Sequence, residues 1–472
     1  MGTDPGPQRR HPSGVLPAPA RDTLEGSRMS PDADVIDIHP AGRHQRVLML
    51  SWEYPPVLVG GLGRHVHALA TALAAAGHEV TVVTRHAEGA PLEEYAEGVR
   101  VLRAPEDPVT FPLATGSLLA WTMAFNHTLT RTALRAADTA DYDVVHAHDW
   151  LVGHTAVTLA EHLDLPLVTT IHATEAGRHQ GWLPGELNRT IHGVEHWISN
   201  VSTRVIACSG YMREQVGRLF DVPAGRVDVV PNGVDDRAWR ARPRAVASAR
   251  ARFAGDGPLV GYAGRLVYEK GVQHLVDAVP YLRDRHPGLR VVIAGDGPYR
   301  DELVDRVHRL HVADSVRFAG FLDAGQLPAM LAATDATVVP SLYEPFGMIA
   351  LEAAAAGAPL AVASTGGLAE IVEPGVTGVT FPHSDPGALA GAVDRLVGDE
   401  VFARRVARRA RTMVGERYGW AAIAARTVSS YAAARREHGG FQARRAATLL
   451  AGGRPRIAIP EGNLLALDGA AC

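Results

Sequence analysis

RVLMLSWEYPPVLVGGLGRHVHALATALAAAGHEVTVVT, residues 46–84, decides the fold. Residues 46–51 carry a continuous apolar run, Val47 to Leu50, and read as a parallel strand buried on both faces. A glycine-rich loop follows, then a helical repeat from about Arg64 that sets Val66, Leu69, Ala70 and Leu73 on one face. Gly77 stands where a C-terminal helix cap belongs, and residues 79–84 read as the next strand. Strand, helix and strand in that order open a doubly wound parallel sheet.

Outward from this unit the alternation continues, with strands expected near 143–146, 167–171, 205–207 and 227–230. A polar stretch rich in Arg and Pro, 236–257, interrupts it and reads as a linker. A second series restarts at 259–263 (LVGYA), with further strands near 290–294, 316–318, 336–339, 360–362 and 379–381. Arg-rich helices from about 401 to 436 close that series. The fold class expected is α/β: two facing Rossmann-like domains with parallel sheets, 46–235 and 258–436, and a ligand cleft between them. Residues 1–45 lack the apolar core of a signal peptide and read as a disordered leader, with Met29 as a second possible start. Residues 437–472, broken by GG, GGRP and DGAA, read as a flexible tail.

Composition excludes several classes. The chain has 472 residues, 46% hydrophobic and 21% charged, enough for two domains with their own cores. A formal charge of −4 gives no reason to expect nucleic acid. No apolar run reaches the roughly 18 residues of a membrane-spanning helix, so membrane association is not expected. Two cysteines, Cys208 and Cys472, make no disulfide framework, and a cytoplasmic location is expected. Oligomeric state is not legible. Of the 47 basic residues Lys270 is the single lysine, a compact charge retained where arginine is otherwise used throughout.

The strand ends carry the candidate chemistry. Gly60 and Gly61 precede a helix N-terminus, where glycines let backbone N–H groups approach a phosphate; a tight turn needs the same residues. The spacing is not the GxGxxG fingerprint, so NAD is not indicated. His146 and His148 share one face of their strand, His148 nearer its carboxyl end beside Asp149, and His172 and Asn232 reach neighbouring strand ends. Zinc is the rival reading, but no HExxH or CxxC set accompanies them, and no metal is assigned. In GRLVYEKG, residues 264–271, Arg265 and Lys270 set two cations at a strand mouth, suited to a leaving diphosphate. Glu344 precedes a helix that opens at Gly347, Met348 and Ile349, and Glu352 lies two turns further on. A carboxylate accepts twice, which suits a vicinal diol; complementing the helix dipole is the alternative for Glu352.

With GGLG, GRLVYEKG, GDGP at 295–298, and Glu344 separated from Glu352 by seven intervening residues, the chain resembles the family-4 retaining glycosyltransferases of GT-B architecture from about Arg46 to Ala434. SWEYPP, HAHDW and TIHATEAG are similar to those of bacterial glycogen synthase-like enzymes, including mycobacterial α-1,4-glucosyltransferases of methylglucose lipopolysaccharide and glycogen synthesis. The resemblance implies a UDP- or ADP-glucose donor, an α-glucan or maltooligosaccharide acceptor, retention of configuration, and neither cofactor nor metal. It implies that Arg265 and Lys270 hold the donor diphosphate, Glu344 the transferred sugar and Glu352 the ribose. His148 would lie at the reacting centre, Gly60, Gly61, Asn232 and Gly347–Ile349 around the donor, and His172 and Asp149 near sugar or acceptor. Rival readings are transfer to a lipid or small acceptor at a membrane surface, suggested by ARRVARRAR at 403–411, and a nucleotide-sugar epimerase or hydrolase. A solvated helix face is the plainer reading of that arginine run.

Overall fold

The computed structural model describes residues 44–105 and 113–451. The expected leader lies outside them except for His44 and Gln45, as does the expected tail beyond 451.

Two sheets organise the chain. The first contains β1 (Arg46–Leu50), β2 (Glu79–Arg85), β3 (Glu93–Ala96), β4 (Val99–Ala104), β5 (Val144–His148), β6 (Leu167–Ile171), β7 (Arg204–Ala207) and β8 (Val227–Val229). Their order is β3-β4-β2-β1-β5-β6-β7-β8, parallel except for β3 against β4. The second contains β9 (Leu259–Ala263), β10 (Arg290–Ala294), β11 (Val316–Gly320), β12 (Ala336–Val339), β13 (Leu360–Ala363) and β14 (Val379–Phe381). It is wholly parallel, in the order β11-β10-β9-β12-β13-β14. Helices cover both faces of each sheet, so the central strands are buried along nearly their whole length, which suits their mostly apolar, Val-rich sequences.

Four expectations change. β3 and β4 were not foreseen, because charged residues interrupt their apolar pattern. β3 is an exposed edge strand carrying Glu93 and Glu94, and Arg103 of β4 is buried by pairing with Glu94. β5 spans Val144–His148, starting one residue later and ending two later than the expected 143–146, and keeps His148 on the strand as its last residue. The expected linker contains a helix, Pro243–Phe253, opened by a proline in its first turn and anchored by buried Ala249 and Phe253.

The fourth concerns the final helix, Trp420–Ala451, which packs on the first lobe rather than closing the second. Ile423, Val428 and Tyr431 join Val47, Val66 and Leu69 in one buried cluster. Gly439 and Gly440 do not end it. Each glycine costs a helix about 1 kcal/mol, but Phe441 is buried with the Arg226 guanidinium 4.7 Å from its ring centroid, and Arg445 pairs with Glu161 at 2.8 Å. Those contacts carry the helix through the expected boundary at 436.

The preceding helix, Glu400–Arg417, buries Phe402, Val406, Ala410 and Val414 and turns Arg404, Arg405, Arg408 and Arg409 to solvent. No helix among the described residues is long and apolar enough to cross a membrane.

Candidate functional site

The loop after β1 is shaped from beneath by a buried carboxylate. Glu53 Oε2 accepts from the N–H groups of Val59 and Gly60, each at 2.9 Å. This fixes the backbone where the helix Gly61–Ala75 begins. A Cβ at Gly60 or Gly61 would meet nothing within 4 Å, so packing does not demand these glycines; they leave the helix N-terminus bare. Gly63 differs, since a Cβ there would lie 2.7 Å from Leu58 Cδ2 and 3.0 Å from Glu53 Cβ.

The histidines divide by their partners. His146 is fully buried and satisfied: Nδ1 meets the Tyr431 hydroxyl at 2.7 Å and Nε2 the Thr170 hydroxyl at 2.8 Å. His148, at the end of β5, shares a hydrogen bond between Nδ1 and His172 Nε2 at 3.0 Å, while its buried Nε2 has no partner among the described residues. His65, from the helix after the glycine loop, completes a group in which one ring nitrogen from each of His65, His148 and His172 lies within 4.8 Å of the others. Burial holds all three imidazoles below their ordinary range, His172 at about 4, and so neutral near pH 7. Asp149, at φ 62°, turns back to accept the His172 backbone N–H on Oδ1 at 2.8 Å. Burial raises its carboxyl to about 6 against the opposing pull of that hydrogen bond and of Arg178. Asn232 is buried, and its Oδ1 has no partner among the described residues, an acceptor available to a ligand.

On the second lobe, the single lysine meets the first of the two candidate glutamates. Lys270 Nζ lies 2.8 Å from Glu344 Oε2, and the Ser341 hydroxyl donates to the same oxygen at 3.0 Å. Arg265 stays largely in solvent, 3.8 Å from Glu269. The GDGP turn braces this loop: Leu266 N–H donates to Asp296 O, and Tyr299 N–H to Leu266 O, both at 2.9 Å. Gly271 sits at φ +69°, where a Cβ would stand 1.9 Å from the Pro340 carbonyl oxygen. Gly271→Ala is therefore expected to cost at least about 2 kcal/mol of stability, seen as an earlier midpoint in chemical denaturation. An unchanged midpoint would show that the loop relaxes freely. Gly347, at φ +115°, opens the helix Met348–Ala356, whose first residues Met348 and Ile349 are half-buried.

The lobes touch along a polar seam. Arg64 Nη1, on the first turn after the glycine loop, pairs with Glu352 Oε1 at 3.0 Å. Glu352 is buried, which raises its carboxyl, and Arg64 opposes that rise. The Tyr343 hydroxyl donates to Gln215 Oε1 at 2.9 Å and accepts the Thr174 N–H at 3.3 Å. Ser209 Oγ donates to Pro345 O at 2.6 Å, and the Glu370 carboxylate accepts the N–H groups of Gly210 and Tyr211 at 2.9 and 2.7 Å. A cavity of about 340 Å³ opens beside this seam, lined among others by Gln180, Tyr211, Gln215, Arg218, Tyr343 and His383.

Of the expected residues, the structure joins Lys270 to Glu344, and His148 to His172 and Asp149. Through Arg64, the glycine-loop helix is joined to Glu352. It shows no direct hydrogen bond, among the described residues, between Arg265 or Asn232 and the other candidates. Sequence reasoning missed His65 and Arg64. His65 sits within an apolar helical stripe and reads as core, and Arg64 gains its partner only when the lobes meet.

Two family models match the chain: Glycosyltransferase Family 4 over residues 59–238, and Glycosyl transferases group 1 over residues 244–413. The glycogen synthase of Mycobacterium tuberculosis is 46% identical over 402 residues, spanning 83% of this chain and 95% of that protein. A D-inositol 3-phosphate glycosyltransferase of Xylanimonas cellulosilytica is 32% identical over 84% of this chain and 98% of its own. Among solved structures, sucrose-phosphate synthase from Thermosynechococcus elongatus superposes with a TM-score of 0.69 at 26% identity, covering 87% of this chain and all of that one. The two parallel sheets are those of the GT-B fold.

Proposed function

The chain belongs to the family-4, group 1 glycosyltransferases, and on that premise we propose that it moves a glucosyl unit from UDP- or ADP-glucose to an α-1,4-glucan with retention of configuration. The observation that carries this reading is the Lys270–Glu344 pair, a cation and a carboxylate 2.8 Å apart on the lobe that the Arg64–Glu352 contact draws against the glycine loop. The acceptor assignment is supported by the identity to the mycobacterial glycogen synthase over most of both chains.

In this reading Lys270 and Arg265 neutralise the departing diphosphate, supplying electrostatic stabilisation without a divalent ion. Glu344 orients the glucosyl hydroxyls, and Glu352 accepts from the ribose diol. The bare N–H groups at Gly60 and Gly61, with those at Gly347–Ile349, approach the donor's phosphates and sugar; Asn232 Oδ1 offers one further acceptor. His148, with His172 and Asp149 behind it, meets the sugar on the first-lobe side. As the anomeric C–O bond to the diphosphate breaks, a new C–O bond forms to the acceptor hydroxyl on the same face. The hydroxyl proton passes to the leaving phosphate oxygen.

The test is nucleotide release from UDP-glucose and ADP-glucose, each with and without a maltooligosaccharide and with EDTA present. Acceptor-dependent release with chain elongation is expected. Release without acceptor would indicate hydrolysis or epimerisation instead. Release only with small polyols would replace the glucan by the acceptor class of the inositol-phosphate relatives.

A further inference from the structure

The proposed transfer makes no use of His65, although the fold carries it to the same point as His148 and His172. Three separate elements deliver these rings: the helix Gly61–Ala75, the end of β5 and the residue after β6. Ring centroids stand 5.7 Å apart for His65 and His148, 4.9 Å for His65 and His172, and 5.3 Å for His148 and His172. Three imidazoles bound tetrahedrally to one metal through bonds of about 2.0–2.1 Å place their centroids about 5 Å apart. The ring spacing is therefore close to that of a tri-histidine site.

Hydrogen bonding leaves nitrogens available. Buried His65 Nδ1 and His148 Nε2 have no partner among the described residues, and His148 Nδ1 and His172 Nε2, 3.0 Å apart, share one proton. His146, directly behind, is excluded as a ligand because Tyr431 and Thr170 occupy both its nitrogens. A neutral imidazole carries one proton, so each ring can offer one nitrogen to a metal with its proton on the other. His172 is half-buried and gives the route in, while His65 packs edge-on against Trp420.

We propose that His65, His148 and His172 form a binding site for a borderline divalent transition metal such as Zn²⁺, and that occupation of this site switches transfer off. An all-nitrogen, uncharged ligand set favours Zn²⁺, Co²⁺, Ni²⁺ or Cu²⁺ over Mg²⁺ or Ca²⁺, which demand oxygen ligands. The metal takes His148, which the proposed function sets against the sugar, together with His172 behind it. The enzyme then needs no metal for turnover, and a chelator protects it. The site rests on geometry alone; the inhibition rests on the proposed role of His148.

The test is titration of the full chain, free of affinity-tag histidines and stripped with EDTA, with Co²⁺. One equivalent should bind with the intense visible bands of tetrahedral cobalt, displaced by Zn²⁺ and not by Mg²⁺. His65→Gln and His172→Gln should each lose the bands with far-ultraviolet circular dichroism unchanged. Absence of tetrahedral bands, or their survival in both variants, overturns the site. Zn²⁺ at about ten times its Kd should lower acceptor-dependent nucleotide release about tenfold, with EDTA restoring it. His65→Gln should keep transfer and resist Zn²⁺. Cobalt bands together with Zn²⁺-insensitive transfer would overturn the inhibition while leaving the site. If no donor supports transfer at all, the proposed function fails, and the cobalt spectrum still decides the site.

Discussion

Replacing Lys270 with alanine is expected to lower kcat by roughly 10²–10³-fold, the usual consequence of removing one preorganised group aimed at developing charge. The chain contains no second lysine that could substitute, and Arg265 is mostly in solvent with a partner only at 3.8 Å. The loss should fall on kcat more than on donor KM, because diphosphate charge grows as the glycosidic bond breaks. Folding should suffer less. The pair lies at a cleft edge, and Ser341 still donates to Glu344 after Lys270 is gone. A lost charged hydrogen bond of this kind costs about 1.5–3 kcal/mol, which thermal unfolding measures directly. Lys270→Arg keeps the charge but replaces a compact ammonium by a planar fork, so an intermediate rate is expected. Activity of Lys270→Ala within a few-fold of wild type would remove the lysine from the mechanism.

That lysine was legible because chemistry and position coincide in one short stretch: a strand end, a glycine turn and the chain's single ammonium. The two glutamates were legible for the same reason, being read from one strand-to-helix crossing. The sheets declared themselves through unbroken apolar runs. Their limits were blurred where charge entered the pattern, as in β4, whose Arg103 is buried only because Glu94 on the edge strand pairs with it. The final helix was misread because Gly439 and Gly440 are genuine helix breakers in isolation. Phe441 and Arg445, finding partners on the first lobe, carry it past them. His65 was hidden for a different reason. At its position in an amphipathic helix a buried histidine looks like any core residue, and its meaning comes from two other strand ends. Local periodicity carries no record of contacts made between distant parts of the chain.

The same is true of Arg64, and its pairing with Glu352 yields the second large effect. The buried carboxylate proposed to take the ribose is paired with an arginine from the opposite lobe. On the proposed ribose role of Glu352, donor binding exchanges that partner for two hydroxyls. Glu352→Ala is then expected to raise donor KM by roughly 10–100-fold, since hydrogen bonds to a charged group contribute about 1.5–3 kcal/mol. Arg64→Ala should act in the opposite direction. Arg64 is half-exposed, so solvent screens its ion pair to about 0.2–1 kcal/mol, and donor KM should fall by at most about fivefold. The double variant should match Glu352→Ala alone, because Arg64 competes only through that carboxylate. A pH profile adds an independent check. Burial raises the Glu352 carboxyl and Arg64 restrains it, so removing Arg64 should lift the carboxyl further. Donor binding needs the ionised form and weakens as pH falls through this pKa; in Arg64→Ala that weakening should begin at a higher pH. If Arg64→Ala instead raises donor KM, Arg64 is itself a donor ligand in the closed complex, and competition for Glu352 is the wrong account of the contact.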